Sequence, residues 1–189
     1  SSGTAKICGF DVFEQSLEIR KLIGYLPETP PLYADMVVYD YLAFAARLRN
    51  VPLKNTQSAV EQVIEKCSLK EVSERIIGRL SKGYQQRVGI AQALVHDPDI
   101  LILDEPTIGL DPIQIIEIRK LIQELALSHT IILSSHILPE ITQICKRVII
   151  ISDGQIAADD SLDALTTRLR KGERLLLKVR QNSNEILEK

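Results

Sequence analysis

Four consecutive aliphatic residues, Ile100-Leu101-Ile102-Leu103, run straight into two acids, Asp104-Glu105, and no other stretch of the sequence restricts the fold as sharply. A continuous apolar run of this length predicts a strand buried on both faces, as in a parallel sheet covered by helices. Acids that follow such a strand directly are planted at the carboxyl edge of the sheet, where α/β proteins bind their ligands. Two neighbouring carboxylates at a rigid edge can divide the work. One can hold a hydrated Mg²⁺, which takes few protein carboxylates and keeps its waters, while the other polarises an attacking water. Context decides, because an isolated Asp-Glu after a strand more often only begins a loop.

The remaining pattern alternates strands with helices. Residues 4–8 and 23–26 read as short strands, the second stopped by Pro27, Pro30 and Pro31. Val38, Tyr41, Leu42, Ala45 and Leu48 keep helical spacing, as do Val60, Val63, Ile64 and Cys67. Leu80-Ser81-Lys82-Gly83 is a loop that opens a third helix, with Ser81 as its cap. Asp111-Pro112 starts another, as cap and first-turn proline, and Ile115, Ile118, Ile122 and Leu125 form its apolar face. A strand at 130–134 ends near His136, a helix follows at 138–145, and 148–151 with 155–158 predict a hairpin around Asp153-Gly154. A helix at 162–170 and a strand at 175–179 complete the expectation. This order predicts an α/β fold with a largely parallel sheet.

Composition narrows the function. The chain has 189 residues, 45% apolar and 25% charged, enough for one sizeable core. Its net charge of -2 comes from interspersed charges, so there is no basic footprint and nucleic acid is not expected as a partner. Cys8, Cys67 and Cys145 lack metal-ligand spacing and read as buried thiols in a reducing compartment. Apolar runs stop far short of the ~20 residues that cross a bilayer. The sequence opens on Ser1 and its only methionine is Met36, which leads us to expect preceding sequence.

Two further segments carry chemistry. Leu80-Ser81-Lys82-Gly83-Tyr84-Gln85-Gln86-Arg87 places a small hydroxyl, a glycine, a lysine and free amides at a helix N-terminus, an arrangement that can hold an anion and otherwise is a capped helix start. His136 follows a core strand, where its ring can touch a phosphate at the sheet edge, although a lone histidine is more often structural.

In this order these segments resemble the nucleotide-binding subunit of ATP-binding cassette (ABC) transporters, over about residues 1–160. The octapeptide from Leu80 is similar to the cassette signature, and Ile100-Leu101-Ile102-Leu103-Asp104-Glu105-Pro106-Thr107 to the second Walker motif. Gly109-Leu110-Asp111-Pro112 is similar to the D-loop, and His136 to the switch histidine. The resemblance implies a P-loop NTPase-like fold with a helical subdomain over about residues 37–95, followed by a C-terminal extension at 161–189. It implies ATP and Mg²⁺ as cofactors, with Asp104 on the metal, Glu105 as general base and His136 on the γ-phosphate. Ser81, Lys82 and Gly83 would meet ATP held by a second ABC subunit in a head-to-tail dimer, and Asp111 would couple the two sites. Gly24-Tyr25-Leu26-Pro27-Glu28 looks like the Q-loop, so Glu28 would sense nucleotide, and residues 37–78 would dock on a transmembrane permease. The implied protein is an ATPase coupled to substrate export, peripheral on the cytoplasmic face of the membrane.

Several positions depart from the family. No Gly-x-x-x-x-Gly-Lys-Ser/Thr occurs; in Gly78 to Gly83 the glycine spacing is right, but Tyr84-Gln85 stands where Lys-Ser/Thr is required. The first Walker motif and the N-terminal strands are therefore expected upstream, leaving a fragment inactive alone and an open apolar sheet edge. Glu28 replaces the usual glutamine, Lys82 a glycine and Tyr84 a glutamine, a combination that looks like a branch of ABC exporters. Two other readings compete: a non-catalytic module docking on a membrane protein or a full cassette, and a soluble ABC ATPase acting on DNA or ribosomes.

Overall fold

A computed structural model describes residues 3–161 and 164 of the chain. The helix expected at 162–170 and the strand at 175–179 lie outside these residues but for Ala164. The backbone gathers into two compact units, one running to Glu140 and one beginning at Ile141.

The first unit opens with a small antiparallel hairpin, β1 (Lys6–Ile7) and β2 (Phe10–Asp11), and a two-turn helix, α1 (Ser16–Leu22). Its central sheet has three parallel strands in the order β3 (Ile23–Leu26), β4 (Ile100–Asp104) and β5 (Thr130–Ser134). Between β3 and β4 the chain makes a helical excursion through α2 (Val38–Leu48), α3 (Leu53–Lys66) and α4 (Lys82–Leu94). Helix α5 (Pro112–Leu125) connects β4 to β5, and α6 (Leu138–Ile144) follows β5. Strands that run in the same direction can be joined only by crossovers that return the chain to the starting edge, which explains the long connections between them.

Helix α4 is the centre of the first unit. Val88, Ile90, Ala91 and Ala93 are fully buried, and β3 packs directly on the helix. At Gly24 a Cβ would stand 2.2 Å from the carbonyl oxygen of Ala93, so only glycine permits this approach. The core continues through Leu26, Leu42, Leu69, Leu101, Leu103, Ile118 and Ile122, each less than 2% exposed. Burial of this kind stabilises by roughly 25 cal/mol per Å² of apolar surface.

Helix α1 is not anticipated by the sequence pattern, and the strand expected at 4–8 shortens to one arm of a hairpin; of the three cysteines expected to be buried only Cys67 is, Cys8 being exposed in the turn of that hairpin and Cys145 half-buried. The larger correction concerns the sheet. Leu101 and Leu103 are fully buried, whereas Ile100 and Ile102 on the other face are only half-buried. Register places Tyr25, Ile102 and Ile132 in one row across the three strands, and Tyr25 and Ile132 are 46% and 56% exposed. Helix α4 seals one face; the row on the other stays partly open, so the apolar run does not mean burial on both faces here.

The second unit contains an antiparallel hairpin, β6 (Arg147–Ser152) and β7 (Gln155–Ser161), turning at Asp153-Gly154 as the sequence predicts. Arg147 holds Asp159 across it with two bonds of 2.8 Å.

Candidate functional site

Strand β4 delivers Asp104 as its last residue and Glu105 as the first residue beyond it. Glu105 sits at φ +46, left-handed backbone that a residue with a Cβ rarely adopts, and strained positions of this type cluster at working sites. Strand β5 ends beside it at Ser134, whose hydroxyl donates to Asp104 Oδ1 at 2.5 Å and accepts from the Glu105 amide at 3.0 Å. Two residues on, His136 Nδ1 lies 3.0 Å from Glu105 Oε1.

This last contact orders the charges. A carboxylate can only accept, so Nδ1 carries the proton and Nε2 is the ring atom free to meet a ligand. The Glu105 hydrogen bond, and then its charge, hold the His136 pKa above the ordinary histidine value of 6.5, with smaller help from Glu140 and Glu28. Glu105 is mostly covered, its side chain 17% exposed, while that of His136 is 65% exposed. The pair therefore presents a screened carboxylate behind an open, proton-bearing ring.

A second layer supports the loop that follows. Thr107 Oγ1 donates to Glu140 Oε2 at 2.6 Å, and Arg119 on α5 lies 3.6 Å from Glu140 Oε1. Thr107 and Glu140 are both buried, so a charge on α6 is tied to the loop after β4. Asp111 caps α5 with Oδ1, accepting from the amides of Ile113 and Gln114 at 3.0 Å each.

The remaining residues singled out by sequence fall in two neighbouring hollows. Ser81 caps α4, accepting from the Tyr84 amide at 3.4 Å, and lines a groove of about 800 Å³ with Gly83, Tyr84, Asp111 and Gln114. A Cβ at Gly83 would stand 2.7 Å from the Gln114 carboxamide carbon, so the start of α4 touches the first turn of α5. Lys82 does not line this groove. It lines a cavity of about 390 Å³ with Glu28, Gln85 and Gln86, and its ammonium lies against Gly109. Glu28 and Lys82, two of the departures from the family pattern, thus face a common space.

Asp104, Glu105 and His136 come together at the ends of β4 and β5, while Ser81, Gly83 and Asp111 line one groove and Glu28 and Lys82 another cavity. Sequence reasoning missed Ser134, Arg119 and Glu140, and it placed Thr107 in the second Walker motif without a partner. Glu140 carried a signal, an acid four residues after His136 within an apolar helix; Ser134 carried none beyond ending its strand. A Mg²⁺ ion fits this donor set, since it binds through one or two carboxylates plus substrate phosphates and Asp104 offers a hard oxygen at the sheet edge.

Known proteins share this chain's fold and much of its sequence. The family profile described as ABC transporter matches residues 1–108, more than half of the chain. The bacitracin transport ATP-binding protein BcrA of Bacillus licheniformis is 41% identical over 173 residues, covering 90% of this chain and 56% of that protein. The ABC transporter ATP-binding protein NatA of Bacillus subtilis is 36% identical over 168 residues, covering 87% and 68%. Among solved structures, cbiO1 from Clostridium perfringens, part of the ABC transporter complex cbiONQ, superposes with a TM-score of 0.78 at 28% identity, over 90% of this chain and 72% of that one. The chain spans about half the length of the curated relatives it matches first. No helix among the described residues is long and apolar enough to cross a membrane. With its parallel sheet, its ordered motifs and these relatives, the chain belongs to the ABC transporter family and has the fold of its ATPase subunits.

Proposed function

We propose that the protein binds and hydrolyses Mg-ATP and couples this to substrate export through a transmembrane permease. The observation that carries the reading is the meeting of Asp104, Glu105 and His136 at the ends of two parallel strands. Bound there by Asp104, Mg²⁺ would neutralise charge on the phosphates. Glu105 accepts a proton from the attacking water through its carboxylate, which is screened from solvent and steadied by His136. The exposed Nε2 of His136, a donor once the ring is protonated on both nitrogens, orients and stabilises the γ-phosphate. These roles supply positioning and electrostatic stabilisation, the main catalytic demands of phosphoryl transfer.

We assign the phosphate cradle to residues outside this sequence, which contains no Gly-x-x-x-x-Gly-Lys-Ser/Thr. Residues 1–160 then form one partial cassette domain, with the helical subdomain at about 37–95 and the stretch 161–189 as an extension. The groove of Ser81, Gly83 and Asp111 faces nucleotide held by a second subunit, and Glu28 follows the nucleotide from the cavity it shares with Lys82. The permease docks on the helical subdomain, where Tyr41, Phe44 and Leu48, with Tyr33 just before the subdomain, line a hollow. Such a protein works at the cytoplasmic face of the membrane.

The test is Mg-ATP turnover by the full-length protein carrying this sequence. Turnover that requires Mg²⁺ is the expected result; a folded full-length protein that fails to hydrolyse Mg-ATP would refute the reading.

A further inference from the structure

Ser134 stands directly across from Asp104, the last paired position of β4 and β5, and its hydroxyl is used twice. The Glu105 amide can only donate, so it takes a lone pair of Oγ, and the single hydroxyl proton is left for Asp104 Oδ1. One small side chain thereby fixes the rotamer of the first acid and the backbone of the second. Both need fixing. Asp104 keeps one carboxylate oxygen for a further ligand only if the other is held aside. Glu105 sits at φ +46, which costs energy in any residue with a Cβ and persists only when neighbouring contacts enforce it. Relaxing that peptide would swing the Glu105 carboxylate away from its 3.0 Å contact with His136.

We propose that Ser134 is a positioning residue of the hydrolytic centre, clamping Asp104 and Glu105 in their working geometry through its two hydrogen bonds. The inference rests on the roles given above to those two acids. Ser134 itself is placed to touch the acids rather than the nucleotide. Its hydroxyl is what matters: alanine removes both bonds while keeping the strand, and threonine retains the hydroxyl and suits a strand end.

The experiment compares full-length wild type with Ser134→Ala and Ser134→Thr. Without nucleotide, amide hydrogen exchange at Glu105 should quicken about tenfold in Ser134→Ala and stay near wild type in Ser134→Thr, as loss of one hydrogen bond predicts. In turnover assays below the melting temperature of each variant, Ser134→Ala should lower kcat about tenfold and raise the Mg²⁺ concentration for half-maximal rate, and Ser134→Thr should restore both. A purely structural serine would lower the melting temperature and leave the Mg²⁺ requirement unmoved, which would overturn the proposal. Equal impairment in the two variants, or unchanged exchange at Glu105, would overturn it as well. A wild type without turnover would count against the ATPase function, and the exchange comparison would then decide the role of Ser134.

Discussion

His136 and Glu105 share one hydrogen bond, Nδ1 to Oε1 at 3.0 Å, linking the residue after β4 to the loop after β5. Because the partner is a carboxylate, the folded pKa of His136 is raised. The stabilisation it brings is fully present below the ordinary value of 6.5 and is lost as pH rises through the raised value. Nuclear magnetic resonance titration of the ring should find its midpoint above 6.5 in the wild type. Glu105→Gln, which removes the charge, should lower it; an unchanged midpoint would contradict the contact.

His96 should behave in the opposite sense. Burial, then the charge of Arg49, lowers its pKa, and its neutral ring donates Nε2–H to the Ile23 carbonyl at 3.2 Å while Nδ1 is buried without a partner. A depressed histidine contributes stability that is present above the ordinary 6.5 and is lost as pH falls through its folded pKa. Replacing His96 by Gln should flatten the acid limb of a melting temperature against pH curve below that value.

The buried carboxylate of Glu140 ties α6 to Thr107 and Arg119. Glu140→Ala leaves a buried hydroxyl and a partly buried guanidinium with a lost partner, and breaking such a cluster costs about 3 kcal/mol. Chemical denaturation should show the midpoint falling accordingly. A change within about 0.5 kcal/mol, the range of ordinary surface substitutions, would mean the cluster is incidental.

Gly24→Ala should destabilise by about 1 to 3 kcal/mol, the range for overpacked sites, because the added methyl meets the Ala93 carbonyl and backbone cannot step aside as a side chain can. Calorimetry on the purified protein checks this, and a neutral result would show that β3 and α4 are less closely packed than described.

Much of the site was readable because its signals are local. The run from Ile100 to Leu103 specifies a strand and the position of the acids that follow it, and Ser81 and Asp111 announce the helices they cap. Contacts across strands were not readable. Ser134 meets Asp104 thirty residues away through parallel pairing, and a serine at a strand end looks the same whether or not an acid faces it. Lys82 is next to Ser81 in sequence, yet a helix turns successive side chains by about 100°, so it lines a different hollow. Helix α1 escaped because its seven residues bury only Ile19 and leave no periodic stripe. The open row of Tyr25, Ile102 and Ile132 escaped for a related reason: aliphatic character records that a face is apolar, not what covers it.

The central claim is that Glu105 activates the water. The direct measurement is single-turnover Mg-ATP hydrolysis by the full-length protein and its Glu105→Gln variant, with nucleotide binding measured in parallel. Loss of a general base predicts a rate lower by about 10²- to 10⁴-fold with ATP still bound, whereas hydrolysis at the wild-type rate by the glutamine variant would contradict the account.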